Sequence, residues 1–257
     1  MMTDEQILQE RIFVIGNSNC RLSRHDYINC IPAIAREREE LDENSARALI
    51  RLISNLFKEE CLRAGYEERT AQRIVTKFRD AGRRSAPWMA TSSIVPGRPQ
   101  DGADGNRTLR WLLPIDHKFY ASEITATLVE VKYFLQAFSM ENAPDIRYLG
   151  FSELFSPWLL EHPISPSLYR DPIQLTIINF QMFMSDPRSI QSGHIFPLDR
   201  GGRHHYHNTF LMLFRSNQIQ GNLTVEELLQ LMQTITASHE EARRQNSLLE
   251  RRIAGFI

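Results

Sequence analysis

Apolar positions recur at helical spacing through the first third of the chain. Thr3-x-x-Gln6 forms a capping box just ahead of Ile7 and Leu8. Asp42 is placed to cap a longer helix carrying Leu49, Leu52, Ile53, Leu56 and Phe57 on one face. The spacing predicts another helix from about 67 to 81, with Ile74, Val75 and Phe78 as its apolar stripe. Gly82 then falls at C′, where a left-handed conformation costs glycine little. Arg69, Arg73 and Lys77 are four apart, so they share a different face of that helix.

Periodicity breaks over 86–106, a stretch rich in Pro, Gly, Asp and Ser that reads as a long loop or linker. Leu109 to Ile115 predicts a short strand, and Ile124, Leu128, Val131, Phe134 and Leu135 an amphipathic helix. Asp171, Pro172 and Gln174 fit the N-cap, N1 and N3 positions of a helix ending before Pro187. Its apolar residues are dense enough that a buried strand competes. Thr224-x-x-Glu227 is a second capping box, stapled by Leu223 and Leu228 and continued by Leu231, Met232 and Ile235. The tail from His239 to Arg252 is charged and reads as helical. These elements predict an α+β fold, divided into a helical region (1–85), the linker (86–106), a mixed region suited to DNA recognition (107–185) and a C-terminal unit (186–257).

Composition narrows the class. A chain of 257 residues with 42% apolar side chains has enough to bury a core, and a net charge of −1 removes the argument from a strongly basic chain for nucleic acid. The charge is unevenly spread: residues 62–118 hold eleven Lys and Arg against six Asp and Glu. Such a local excess suits a phosphate-contacting surface. No run approaches 18 apolar residues, so no membrane span is expected. The segment MMTDEQILQE has neither a basic start nor an apolar stretch, so a cytoplasmic location is expected. Cys20, Cys30 and Cys61 include no C-x-x-C pair, so they read as reduced thiols rather than a disulfide framework or zinc site.

Unusual chemistry concentrates in residues 190–224, IQSGHIFPLDRGGRHHYHNTFLMLFRSNQIQGNLT. A short strand carrying His194 stops at Pro197. A turn-rich loop follows, with Gly201-Gly202 and His204, His205 and His207. Asn208 opens the strand-like run TFLMLF, and Asn217 precedes a polar turn ending at Gly221. The order is strand, loop, strand, short helix.

This segment resembles the HNH family of nucleases, also called ββα-metal or His-metal finger enzymes. His194-Ile195-x-Pro197 matches the first part of the family motif, Gly201-Gly202 the loop, Asn208-x-x-Leu211 the second part, and Asn217 with Gly221 the third. Asn208 follows His194 by 14 positions and Asn217 follows Asn208 by 9, both spacings that the family prefers. The resemblance covers about one seventh of the chain.

The resemblance implies a divalent-metal-dependent endonuclease that hydrolyses DNA. His194 is then the general base, because imidazole titrates near neutrality. Asn217 would offer its side-chain oxygen to one Mg²⁺ or Mn²⁺, and Asn208, grouped with the catalytic residues, would brace the loop and orient the base. Arg200, Arg203 and Arg215 inside the motif are candidate phosphate contacts, with Arg69, Arg73 and Lys77 as a second DNA-contacting stripe. The histidines of the loop suit a position near phosphate better than a zinc site.

Two features depart from the family. Gly193 stands where the family usually has Asp, a metal ligand; Asp199, Ser192 or a loop histidine are the candidate substitutes. The cysteine pairs that bind structural zinc in many relatives are absent, so no structural zinc is expected. The length ahead of the motif suggests a recognition region, as in restriction or phage-defence nucleases, and cutting both strands of a palindrome implies a homodimer. Two alternatives stay open: a DNA-binding module whose nuclease finger is retired, or a nuclease subunit active only with a partner protein of a defence system.

Overall fold

The computed structural model describes residues 2–85 and 108–244. Four helices open the chain: α1 (Asp4–Asn17), α2 (Arg24–Arg36), α3 (Glu43–Arg63) and α4 (Glu68–Gly82). The caps act as expected: Thr3 and Gln6 close a reciprocal box on α1, and the Asp42 carboxylate accepts from Ser45 N at 2.7 Å. A two-residue pair, β1 (Arg84–Ser85) with β2 (Thr108–Leu109), follows α4. Then come α5 (Glu123–Phe138), α6 (Phe151–Phe155), α7 (Phe180–Ser185), the antiparallel hairpin β3 (Ile190–His194) and β4 (Thr209–Leu213), α8 (Phe214–Gln220) and α9 (Val225–Arg244). Helices with two small antiparallel sheets make the described residues an α+β fold. None of these helices is long and apolar enough to cross a membrane.

The core forms around α3, which packs against α1, α2, α4 and α5. Phe57 of α3 is ringed by Phe78, Phe134, Phe138 and Phe180 at centroid distances of 5.2–6.2 Å. Each such buried ring contributes about 1.5–3 kcal/mol. The long N-terminal helices thus carry one floor of aromatic contacts that reaches α5 and α7.

Four expectations need correction. The helix α5 is not amphipathic: α3 and α4 cover one side and β4 another, so Glu130, Lys132 and Gln136 are buried with its apolar residues. Burial drives the Glu130 carboxyl up to about 7 despite its ion pair with Arg83, and the Lys132 ammonium down to about 7. Gly82 ends α4 in an ordinary helical conformation; its smallness serves a close approach to α5 instead. The strand expected over 109–115 stops at Leu109, because Arg110–Leu112 turn into a 3-10 helix. Asp171 caps no long helix. Its carboxylate accepts from Ile173 N, Gln174 N, Leu213 N and the Ser216 hydroxyl, tying the loop to β4 and α8, and helix forms only at α7, capped by Asn179.

The second capping box is present, with Thr224 N on Glu227 and Glu227 N on Thr224 at 3.0 and 3.2 Å. Of the apolar residues on α9 only Leu228 is buried; Leu231, Met232 and Ile235 are exposed. The linker expected at 86–106 and the helical tail beyond Arg244 lie outside the described residues.

Candidate active site

The hairpin places His194 opposite Thr209, Gly193 opposite Phe210 and Gln191 opposite Met212. Side chains alternate along a strand, so Ile190, Ser192 and His194 share one face. That face turns toward α5: Ile190 joins the core and the Ser192 hydroxyl bonds the Tyr133 hydroxyl. Gln191 and Gly193 take the opposite face, where α8 lies. The Asn217 amide donates to Gln191 Oε1 at 2.8 Å, and Gln220 donates to the His194 and Ile195 carbonyls at 2.9 and 3.1 Å.

Asn208 closes the loop between the strands. Its Oδ1 accepts from Phe196 N at 2.7 Å, and its Nδ2 donates to Phe196 O and Arg203 O, both at 2.9 Å. Every one of these partners is backbone, so Asn208 braces the loop that follows His194. Gly201 is left-handed at φ +91°, and a Cβ on Gly202 would overlap the Phe196 carbonyl oxygen. Both glycines are therefore required by the turn. Asn208→Ala is expected to remove three hydrogen bonds and to cost about 2–3 kcal/mol. A thermal melt checks this; an unchanged Tm would contradict the bracing role.

His194 is half-buried. Its Nε2 lies 3.2 Å from His204 Nδ1, and His204 Nε2 lies 2.7 Å from the Gly82 carbonyl at the end of α4. Burial, with the nearby Arg110 guanidinium, pushes the His194 imidazole down to about 4 and holds His204 well below the usual histidine range. Arg110 is buried too, donating to Gly82 O, Ala81 O and Phe119 O at 3.0, 3.2 and 3.1 Å. Both rings are thus neutral at pH 7, and His194 is able to accept a proton.

The expected metal site is less complete. At Gly193, a Cβ would overlap Sδ and Cε of Met212, so a thioether fills the space where the family's Asp would project. The candidate substitutes are engaged elsewhere: Ser192 with Tyr133, Asp199 with Lys118 at 2.5 Å, and His204 with His194 and Gly82. His205 and His207 flank Tyr206, and His207 lies 3.9 Å from Glu161. Among the described residues no three His, Cys, Asp or Glu side chains gather where they would hold a metal. On the α8 side Asn217 Oδ1 and Gln191 Oε1 are amide oxygens, the second already accepting from Asn217, and no hydrogen bond joins Asn217 to His194. Neutral amides with no carboxylate cluster among the described residues, and a thioether at Gly193, do not fit Mg²⁺ or Mn²⁺.

The basic residues fall into two groups. Arg200 is ion-paired with Glu227, whereas Arg203 and Arg215 are exposed and make no ion pair among the described residues. Arg73 and Lys77 line an open cleft of about 1000 Å³ together with Arg84, Arg188, Asp80 and Asp186, and Arg69 lies outside it. Lys77 is half-buried rather than solvated, and burial lowers its ammonium pKa. The Cys30 and Cys61 thiols are pushed up to about 11 and 12 by burial, which makes them poor nucleophiles.

Gly82 reads in the sequence only as a helix terminator and Arg110 only as part of a short strand, yet the Gly82 carbonyl receives both His204 Nε2 and Arg110 Nε. His204 stood out only as one of three loop histidines; it is 1% exposed and faces the core rather than phosphate.

No protein-family model matches the chain, and no curated protein matches it. A solved structure described as a type II restriction endonuclease is similar over part of its length, with 19% identity and a TM-score of 0.39. The match covers 48% of this chain and 55% of that one.

Proposed function

We propose that this protein is an endonuclease that hydrolyses phosphodiester bonds in DNA, with His194 as general base. The observation that carries the proposal is a neutral histidine at the end of β3, held by a second ring, inside the strand-loop-strand-helix unit whose motif resembles HNH nucleases. In this reading His194 takes a proton from water. The water oxygen bonds to phosphorus, the bond from phosphorus to the leaving oxygen breaks, and that oxygen is protonated by solvent. Asn208 fixes the loop after the base. The Mg²⁺ or Mn²⁺ that the resemblance assigns to Asn217 finds no cluster of His, Cys, Asp or Glu beside that amide among the described residues.

Phosphate contacts are assigned to Arg203 and Arg215, with Arg200 in the same motif and Arg69, Arg73 and Lys77 as a separate group on α4. Arg215→Ala is expected to weaken DNA binding and to reduce the slope of log affinity against log salt by about 1. Arg200→Ala is expected to change it less, because Glu227 already neutralises that guanidinium. Fluorescence anisotropy over a salt series reads both; equal effects would contradict the assignment. A site-specific restriction or phage-defence role, acting as a homodimer, accounts for the long region ahead of the motif.

A second reading is favoured by the Met212 side chain packed at Gly193: a DNA-binding module whose nuclease finger is retired. Supercoiled plasmid and phage-length DNA, incubated with the protein in Mg²⁺, Mn²⁺ or EDTA, separate the two. Strand breaks support the nuclease, and discrete fragments support site specificity. Salt-sensitive binding without breaks under any condition supports the retired module.

A further inference from the structure

The His194–His204 pair fixes more than the position of a ring. A carbonyl oxygen only accepts hydrogen bonds, so the 2.7 Å contact to Gly82 O requires a proton on His204 Nε2. His204 is buried beside the Arg110 guanidinium, which opposes a second proton on it. Its Nδ1 is therefore a lone pair. The His194 Nε2 that approaches it at 3.2 Å must then be the donor. One nitrogen of His194 remains, Nδ1, and it has no hydrogen-bond partner among the described residues.

We infer that His204 is a positioning residue that locks His194 in its Nε2–H tautomer, so that Nδ1 is the nitrogen that accepts the proton from water. The inference rests on the nuclease reading for the identity of that proton, but the tautomer itself does not. When Nδ1 takes the proton, His194 keeps its Nε2 proton and directs it at His204, and no proton leaves the pair. The chain His194, His204, Gly82 carbonyl also ties the base to the C-terminal end of α4. Helix α4 packs on α3 and α5, outside the motif that marks the nuclease finger in the sequence. The charged groups around the pair are few. Arg110 comes from the 3-10 turn and His205 from the loop, and each disfavours a proton on His204; Glu130 of α5 is engaged by Arg83.

The test is nuclear magnetic resonance of the ¹⁵N-labelled imidazoles in the full chain at pH 7, with two variants chosen by shape. In His204→Asn the amide oxygen takes the place of Nδ1 and still accepts from His194. In His204→Gln the amide takes the place of Nε2 and satisfies Gly82 but leaves His194 without an acceptor. The expected result is an Nε2–H tautomer for His194 in the wild type and in His204→Asn, and a mixed population in His204→Gln. Cleavage in His204→Gln should fall at least about tenfold in kcat with KM unchanged. An Nδ1–H tautomer in the wild type, or an unaltered tautomer in a folded His204→Gln, would overturn the inference. Absence of cleavage with the predicted wild-type tautomer would count against the nuclease reading alone.

Discussion

Gly82→Ala is expected to destabilise the protein by about 1–3 kcal/mol, although alanine is the better helix former. The two effects have opposite signs, which makes the outcome informative. Helix propensity favours Ala over Gly by roughly 1 kcal/mol in an exposed helix interior. Here the added methyl would lie 2.8 Å from Glu130 Cβ and 3.0 Å from Glu130 Cα and N. Two of those three atoms are backbone, so relief requires α4 and α5 to separate, in a core where both helices are buried by aromatic packing. The Gly82 carbonyl also receives His204 Nε2 and Arg110 Nε, so displacement of this residue shifts the support of His194. Urea unfolding reads the stability, with cleavage read in parallel. A stabilised Gly82→Ala would show that the α4–α5 approach is looser than these 2.8–3.0 Å separations.

His194→Ala is expected to lower DNA cleavage by about 10²–10⁴-fold, the usual contribution of a positioned general base. The pH dependence follows from the environment of the ring. A histidine at its ordinary pKa of about 6.5 is mostly protonated at pH 5.5 and useless as a base. His194 is pushed down to about 4 by burial and by Arg110, so its neutral form persists through that range. The rate carried by His194 should therefore stay nearly level from pH 7 down to about 5 and fall only as pH approaches 4. Single-turnover rates from pH 4 to 8 check this. A fall centred near pH 6.5 would contradict the lowering that burial and Arg110 impose on the ring.

The helical frame was legible in the sequence where local chemistry decides structure. Thr3 and Gln6, Asp42, and Thr224 and Glu227 cap the helices that their spacing announced. The strand, loop, strand, helix order of 190–220 was legible too, because Gly201, Gly202 and Asn208 are demanded by one specific turn. Misreadings arose where long-range packing decides. Asp171 reads as a helix cap, yet Leu213 N and Ser216, more than forty positions away, take up its carboxylate. The periodicity of α5 marks only one of its buried faces, since Glu130 and Lys132 are covered as well. For the candidate site, the motif singles out His194 and Asn208, but the contact of His194 with His204 depends on a carbonyl in α4, and no local pattern encodes that pairing. Met212 at Gly193 is equally invisible before the strands pair.

If His194 takes the proton from the attacking water, removing its imidazole must slow strand cleavage. The most direct measurement is the nicking rate of supercoiled plasmid by the wild type and His194→Ala side by side, each confirmed as folded by circular dichroism. Strand breaks by the wild type, with a loss of about 10²–10⁴-fold in the variant, are the result expected of a nuclease with this base. Equal rates in the two proteins, or no breaks by either under any ionic condition, would contradict that role.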